Sequence, residues 1–265
     1  MSGYVETFLK YHSTDNDLSQ YEFIFIENSG DADFKYVIKP LKDAGFNVVL
    51  INTHNYGFGK GCNTGAEHAS GEILIFANPD ICFLGRLDAV KMYFRGVNWG
   101  TVRQLISRNR DYSFDLLPEY KGLLFELFRL YHFINPCFRF LLHKSYVVGS
   151  FLIVSKALFI KSGGFNTTFF LYYEEVELAR RLQNIAGPPF YDSKTEIYHR
   201  GFASNDSQDK ILMHEARGFL TYCQVTKQPK LLHKRLLTLR ILGMFSSFHR
   251  RRLRALKLTP VIDER

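Results

Sequence analysis

Residues 169–182 read FFLYYEEVELARRL, with three acids, Glu174, Glu175 and Glu177, set directly behind Phe169, Phe170, Tyr172 and Tyr173. Two chemistries fit. Acids in the first turn of a helix complement its dipole, and Glu177 can pair with Arg181 at i,i+4. Alternatively, an apolar wall desolvates a carboxylate and raises its basicity, which suits a general base beside a pocket. The stretch FANPDI (76–81) sets Asp80 just past a predicted strand, at the carboxyl edge where α/β sheets bind ligands. A carboxylate there can hold a hard divalent cation; equally, Asn78, Pro79 and Asp80 can form an Asx-type turn. His199, in IYHRGFAS (197–204), stands at another predicted strand end, where a lone histidine is usually structural.

The stretch NYGFGKGCNTGAEHASG (55–71) carries Gly57, Gly59, Gly61 and Gly65. That spacing is not GxGxxG, and the GxxxxGK[ST] pattern is absent, so neither a Rossmann nor a P-loop site is indicated. What remains is a glycine-rich turn entering a helix. Its backbone amides either meet a phosphate or a sugar, or simply make a tight turn.

These groups need a scaffold, and the first half of the chain supplies a rhythm of strands and helices. YEFIFIEN (21–28), FNVVLIN (46–52) and GEILIFANPD (71–80) are short apolar runs closed by turn residues, as buried strands are. FKYVIKPLKDAG (34–45) and GCNTGAEHAS (61–70) read as helices between them, and GYVETFLKYHS as a helix before them. This order predicts a mostly parallel sheet covered on both faces. Residues 99–145 mix aromatics, leucines and bases and predict an amphipathic helix broken near Pro136. SYVVGSFLIVS (145–155) and KTEIYHRG (194–201) predict strands, and from about residue 210 the pattern is helical, closing with FHRRRLRALKL (248–258).

At 265 residues the chain can bury a sizeable core. Cys62, Cys82, Cys137 and Cys223 show no CxxC spacing and predict reduced core thiols rather than a disulfide frame or a zinc site. No basic-then-apolar leader pattern opens the sequence, and no run reaches the roughly 18 apolar residues of a membrane span. The formal charge is +8, unevenly placed: residues 227–265 hold 11 Lys and Arg against 2 acids, net +9, which leaves −1 for residues 1–226.

Four stretches in this order, ENSGD, NYGFGKGCNTGAEHASGEILIFANPDI, VGSFLIVSKALFIKSGGFNTTFFLYYEEVELARRL and YHRGFAS, resemble glycosyltransferase family 2 over about residues 4–205. More narrowly they resemble the rhamnosyltransferase-like branch that builds bacterial O-antigen, capsule and cell-wall polysaccharide. The resemblance implies an α/β GT-A nucleotide-sugar fold over residues 1–205, with 99–145 as an aromatic-rich, acceptor-side segment and 206–265 as a helical basic extension. It implies an inverting, metal-dependent transfer of a sugar from a dTDP- or UDP-sugar to a glycan or lipid-linked acceptor. By its motifs Glu175 is the general base and Glu174 its support. Asp80 binds Mg2+ or Mn2+ and, through it, the donor diphosphate, with His199 completing the metal site and Asn78 beside it. Glu27 and Asn28 meet the nucleotide base, and Asn55, Gly57 and Asn63 belong to the donor-binding loop.

The sequence departs from the family in three places. The apolar strand that usually opens the family does not precede the helix GYVETFLKYHS, so either a start lies upstream or the sheet lacks a strand. Glu27 and Glu175 each replace an aspartate, and Asn78 replaces the first acid of a strict DxD. The missing strand motivates an alternative: a degenerate member acting as a non-catalytic binding or assembly subunit. A nucleotidyltransferase would need a basic glycine-rich signature near its N-terminus, and none is found. The cationic end, with Arg250, Arg251, Arg252 and Arg254 beside Phe245, Phe248 and Leu253, predicts an anionic membrane surface at the cytoplasmic face of a bacterial inner membrane rather than nucleic acid.

Overall fold

The computed structural model describes residues 2–30, 34–87, 98–107, 110–121, 142–201 and 207–259. Helix α1 (Ser2–Tyr11) buries Val5 and Phe8, and the short α2 (Asp15–Gln20) leads into β1 (Glu22–Glu27). Helix α3 (Phe34–Asp43) buries Phe34, Ile38 and Leu41 at i, i+4 and i+7, the spacing of one helix face. It stops at Gly45, whose φ of +91° suits a residue without a Cβ. The chain then returns in β2 (Asn47–Asn52), parallel to β1 in the register Glu22↔Asn47 to Glu27↔Asn52. Helix α4 (Phe58–His68) lies on this pair with Gly61 and Gly65 over Ile26 and Ile24, and β3 (Ile73–Ala77) follows.

The second sheet is assembled from β3, β4 (Ile81–Phe83), β5 (Trp99–Ser107), β6 (Arg110–Asp111), β9 (Phe151–Ser155) and β10 (Phe190–His199). Its order is β3-β9-β5-β10-β4, with β6 folded back on β5. Strands β7 (Phe114–Leu116) and β8 (Ser145–Val147) form a separate antiparallel pair. Pairing is therefore mixed: β1–β2 and β5–β10 are parallel, and the remaining described pairs are antiparallel. An apolar run marks a buried strand but carries no direction, and of the seven described strand pairs two are parallel, against the expected mostly parallel arrangement.

Two more elements differ from expectation. The predicted strand 145–155 is interrupted by a turn at 148–150, and the predicted strand near 194–201 extends back to Phe190 with a bulge between Asp192 and Glu196. Within 99–145 the described residues begin with strands, and the expected helix break near Pro136 lies outside them, as does Cys137. Cys82 and Cys223 are buried and Cys62 is half-buried, all three as free thiols.

Helix α5 (Lys156–Lys161) follows β9, and α6 (Glu174–Ala186) carries the acidic stretch. Three helices close the chain: α7 (Gln208–Val225), α8 (Pro229–Phe245) and α9 (Ser247–Leu258). Their inward residues Leu212, Phe219, Tyr222, Leu239 and Leu256 form one apolar cluster with Phe169 and Val176. The C-terminal helices thus share a core with the segment that presents the glutamates. Among the described residues, no helix is long and apolar enough to cross a membrane.

Candidate active site

The three acids of α6 divide in the structure. Glu177 takes the structural part: Arg181 donates to its Oε1 at 2.7 Å and its Oε2 at 2.6 Å, and also to the carbonyls of Ser162 and Gly164. The i,i+4 pair therefore ties α6 to the Gly163-Gly164 turn. Among the described residues, neither Glu174 nor Glu175 is chelated by an arginine in this way. Glu174 is only 4% exposed, and one carboxylate oxygen of each residue, Oε2, is enclosed without a hydrogen-bond partner. Glu175 as a whole is half-buried, but that oxygen is closed to water.

Burial pushes the Glu174 carboxyl well above the usual range, and the adjacent Glu175 pushes it further. Burial also raises Glu175, but several groups oppose it: the amides of Glu175, Val176 and Tyr173 at the start of α6, and the Lys121 ammonium. Both carboxyls are thus held above the usual range, with more opposing groups gathered around Glu175 than around Glu174.

The turn that aims this pair is strained. Tyr172 and Tyr173 both have left-handed backbones, at φ +69° and +72°, which costs energy for residues with a Cβ. Glycines grip it from two sides. A Cβ on Gly57 would lie 2.4 Å from the Phe170 carbonyl oxygen, and one on Gly218 of α7 would lie 2.4 Å from that of Tyr172. Phe58 N–H donates to the Phe170 carbonyl at 2.9 Å, fastening the glycine-rich loop to the same turn.

Asp80 and His199 meet at the ends of their strands. His199 is paired in register with Ile81 across β10 and β4, which brings its Nε2 to 3.2 Å from Asp80 Oδ1. Burial would raise Asp80, but the hydrogen bond and charge of His199, with the amides of Asp80 and Gly201, hold it below the usual carboxylate range. One carboxylate and one imidazole on the same side leave a cation's other positions to ligand oxygens, as where substrate phosphates complete the shell. Among the described residues, no third His, Cys, Asp or Glu joins them. Two such ligands can hold part of a cation's shell but do not make a closed protein cage.

Both groups are touched by the 148–150 turn, inside the stretch predicted as one strand over 145–155. Asn78 N–H donates to the Ser150 carbonyl at 3.0 Å, and the neighbouring Gly149 sits against Glu175, where a Cβ would lie 3.3 Å from its Cγ. One three-residue turn, 148–150, therefore touches both the NPD segment and the Glu175 side chain. A glycine between two apolar runs was the available signal.

The remaining predicted residues hold loops. Glu27 ends β1 with its carboxylate accepting from the Ser29 N–H and hydroxyl and from the Gly30 N–H, and Asn28 lies within that capped turn. Asn55 Oδ1 accepts from the Gly57 N–H at 3.1 Å. Asn63 uses both ends of its amide on the Phe165 backbone, at 2.8 Å each, and so clamps α4 to the Gly163-Gly164 turn. Beside Glu175, Lys121 pairs with the buried Asp115 at 2.5 Å and lies over the Tyr146 ring at 5.7 Å. Sequence reasoning missed this cluster, whose residues lie far apart in the chain.

An enclosed carboxylate pair and the Asp80–His199 pair thus both lie within reach of the 148–150 turn of an α/β scaffold. The chain belongs to glycosyl transferase family 2, whose model matches residues 5–146. No curated protein matches it. Among solved structures it is similar to the mannosyltransferase PcManGT of Pyrobaculum calidifontis, solved with GDP-Man and Mn2+, at TM-score 0.58 and 13% identity over 96% of this chain and 69% of that one. GalNAc-T7, solved with UDP, GalNAc and Mn2+, gives TM-score 0.60 and 13% identity over 84% of this chain and 45% of that one. S. aureus TarS 1–349 in complex with UDP gives 0.52 and 14% over 90% and 67%. The fold is GT-A.

Proposed function

We propose that the protein is an inverting glycosyltransferase that moves a sugar from a nucleotide-diphosphate donor to a hydroxyl of a glycan or lipid-linked acceptor. The observation that carries this reading is the 148–150 turn, which links an enclosed carboxylate pair to the Asp80–His199 half-site. In an inverting transfer the acceptor hydroxyl attacks the anomeric carbon from the face opposite the nucleotide, and it must lose its proton as the bond forms. Glu175 takes that proton, worth about 10²–10⁴-fold in rate. Glu174 keeps the pair singly charged, and the Tyr172-Tyr173 turn holds both carboxyls in place. Asp80 and His199 would hold Mg2+ or Mn2+, which when bound offsets charge on the leaving diphosphate. Asn78, Asn55, Gly57, Asn63, Glu27 and Asn28 shape the loops against the donor. Solved neighbours bound to GDP-Man, to UDP and to Mn2+ support such a donor. Rhamnose as the sugar and surface polysaccharide as the product rest on the motif resemblance alone.

One observation favours a second reading, a non-catalytic binding or assembly subunit. Among the described residues β1 pairs only with β2, and β3 only with β9, so the two sheets are not joined by a ladder. Thermal denaturation with dTDP, UDP, GDP and CDP, each with and without Mn2+, separates the two. Ligand that binds only the folded state raises the midpoint by mass action. A metal-dependent rise with one nucleotide supports the enzyme and names the carrier; no rise with any of them supports the binding subunit.

A further inference from the structure

The outward face of the C-terminal hairpin has no part in the chemistry above. Helices α8 and α9 are joined by Ser246 alone, and their inner residues Leu231, Leu239, Leu242, Ala255 and Leu256 already fill the core. The outer face is nonetheless strongly apolar at its tip. Phe245 is 80% exposed and Met244 66%, with Phe248 across the turn and Leu237 two turns back on α8 also exposed. Leu237, Ile241 and Phe245 follow one another at i, i+4 and i+8, so they form a stripe along a single face.

Charge on the hairpin has one sign. Between Pro229 and Leu258 there are nine cations, Lys230, Lys234, Arg235 and Arg240 on α8 and Arg250, Arg251, Arg252, Arg254 and Lys257 on α9, and no acid. Some are used internally. Arg252 and Arg235 reach Glu215 of α7, Arg251 pairs with Asp209 at 2.6 Å, and Arg250 donates to the Gly243 carbonyl at 2.8 Å. These contacts fasten the hairpin to α7 and close its tip. Lys230, Arg240, Arg254 and Lys257 point outward, and Arg240 lies within the apolar stripe, one turn from both Leu237 and Met244.

We propose that this hairpin tip docks on an anionic lipid bilayer, Phe245, Met244, Phe248 and Leu237 entering the headgroup–acyl boundary while the outward cations meet lipid phosphates. Three large exposed apolar side chains around a one-residue turn, with Leu237 two turns back on the same helix, suit a hydrocarbon partner, and a cation collar without a single acid selects a negative surface. Arginine and lysine stems lie along apolar surface and keep their charge in the headgroup layer. A nucleic acid would match the charge but not the exposed phenylalanine tip. Such docking would hold the enzyme at an anionic leaflet, the cytoplasmic face of an inner membrane, where a lipid-linked acceptor is presented.

The test uses the full chain and vesicles with neither donor nor acceptor, so its result is independent of the transfer reading. Co-flotation is measured with vesicles of phosphatidylcholine alone and of phosphatidylcholine mixed with phosphatidylglycerol. The wild type should float with the anionic vesicles, and less so as salt rises. The double variant Met244→Ser, Phe245→Ser should lose about tenfold or more in affinity while keeping its melting midpoint. Arg240→Glu should lose binding to the anionic vesicles. Ile160→Ser, which removes an equally exposed side chain on α5, should change nothing. No flotation of the wild type, full binding by the double variant, or an equal loss in Ile160→Ser would each overturn the proposal. Retention of an oligonucleotide in place of vesicles would overturn it in favour of nucleic acid.

Discussion

Two buried glutamates stand at loop edges of this molecule and do opposite things. Glu27, at the end of β1, is 7% exposed, and its carboxylate accepts from two backbone amides and a hydroxyl. Glu174, at the start of α6, is 4% exposed and has an enclosed oxygen with no partner. Burial is the same; satisfaction is not. A carboxylate whose lone pairs are engaged stabilises a turn, whereas one left unsatisfied beside a second carboxylate is held in readiness to exchange a proton. The contrast repeats inside α6, where Glu177 is chelated by Arg181 three residues after Glu174.

The largest effect expected from breaking this contrast is at Glu175. Glu175→Gln keeps the shape of the pair and removes its proton acceptor, so transfer should fall by about 10²–10⁴-fold while nucleotide binding is retained. Steady-state rates beside a binding titration check this. If Glu174→Gln proves the dead variant and Glu175→Gln stays active, the roles within the pair are reversed.

Next in size is the Asp80–His199 pair. Asp80→Ala removes the carboxylate of the half-site, and the Mn2+-dependent part of nucleotide stabilisation should disappear from thermal denaturation. His199→Ala should weaken it and leave a remnant. Unchanged metal dependence in Asp80→Ala would move the cation elsewhere.

The closeness of Asp80 and His199 could be read from the chain, because strand-end placement is a local property. FANPDI ends a strand, YHRG ends another, and their register sets Asp80 beside His199. Short apolar runs also marked β1 and β2 within a residue and β3 within three. Strand direction was not legible, since alternation of side chains is the same either way. Nor were the left-handed Tyr172 and Tyr173. Tyrosine gives no local signal for positive φ, and the conformation is imposed by distant contacts, Gly57 on one side and Gly218 on the other. Asn63 was read as a donor ligand because it stands in the loop, yet its side chain is engaged by Phe165, about a hundred residues away.

That distant grip gives the third prediction. Gly218→Ala sets a methyl group against the Tyr172 carbonyl, where backbone rather than a flexible side chain must move. The cost should be about 1–3 kcal/mol of stability. Displacement of the turn should also lower kcat, because a misplaced base costs rate without touching the donor site. A stability loss with kcat unchanged would mean that the turn does not aim the pair.

The smallest expected effects test the two glutamates directly, and their signs differ. Glu27→Gln exchanges one acceptor oxygen for a donor among amides that need acceptors, so it should destabilise by about 1–3 kcal/mol. Glu174→Gln should do the reverse at neutral pH. Its carboxyl holds a proton more tightly in the folded chain than in the unfolded one, burial being the main cause and Glu175 the second. Between the unfolded carboxyl pKa of about 4.3 and the raised folded value, the folded state binds more protons, so stability falls as pH rises through that window. Glutamine at 174 removes this dependence. Chemical denaturation across pH should therefore show Glu174→Gln gaining on the wild type as pH rises and Glu27→Gln below it throughout. If both variants moved in the same direction at neutral pH, the distinction between an engaged and a poised carboxylate would not hold.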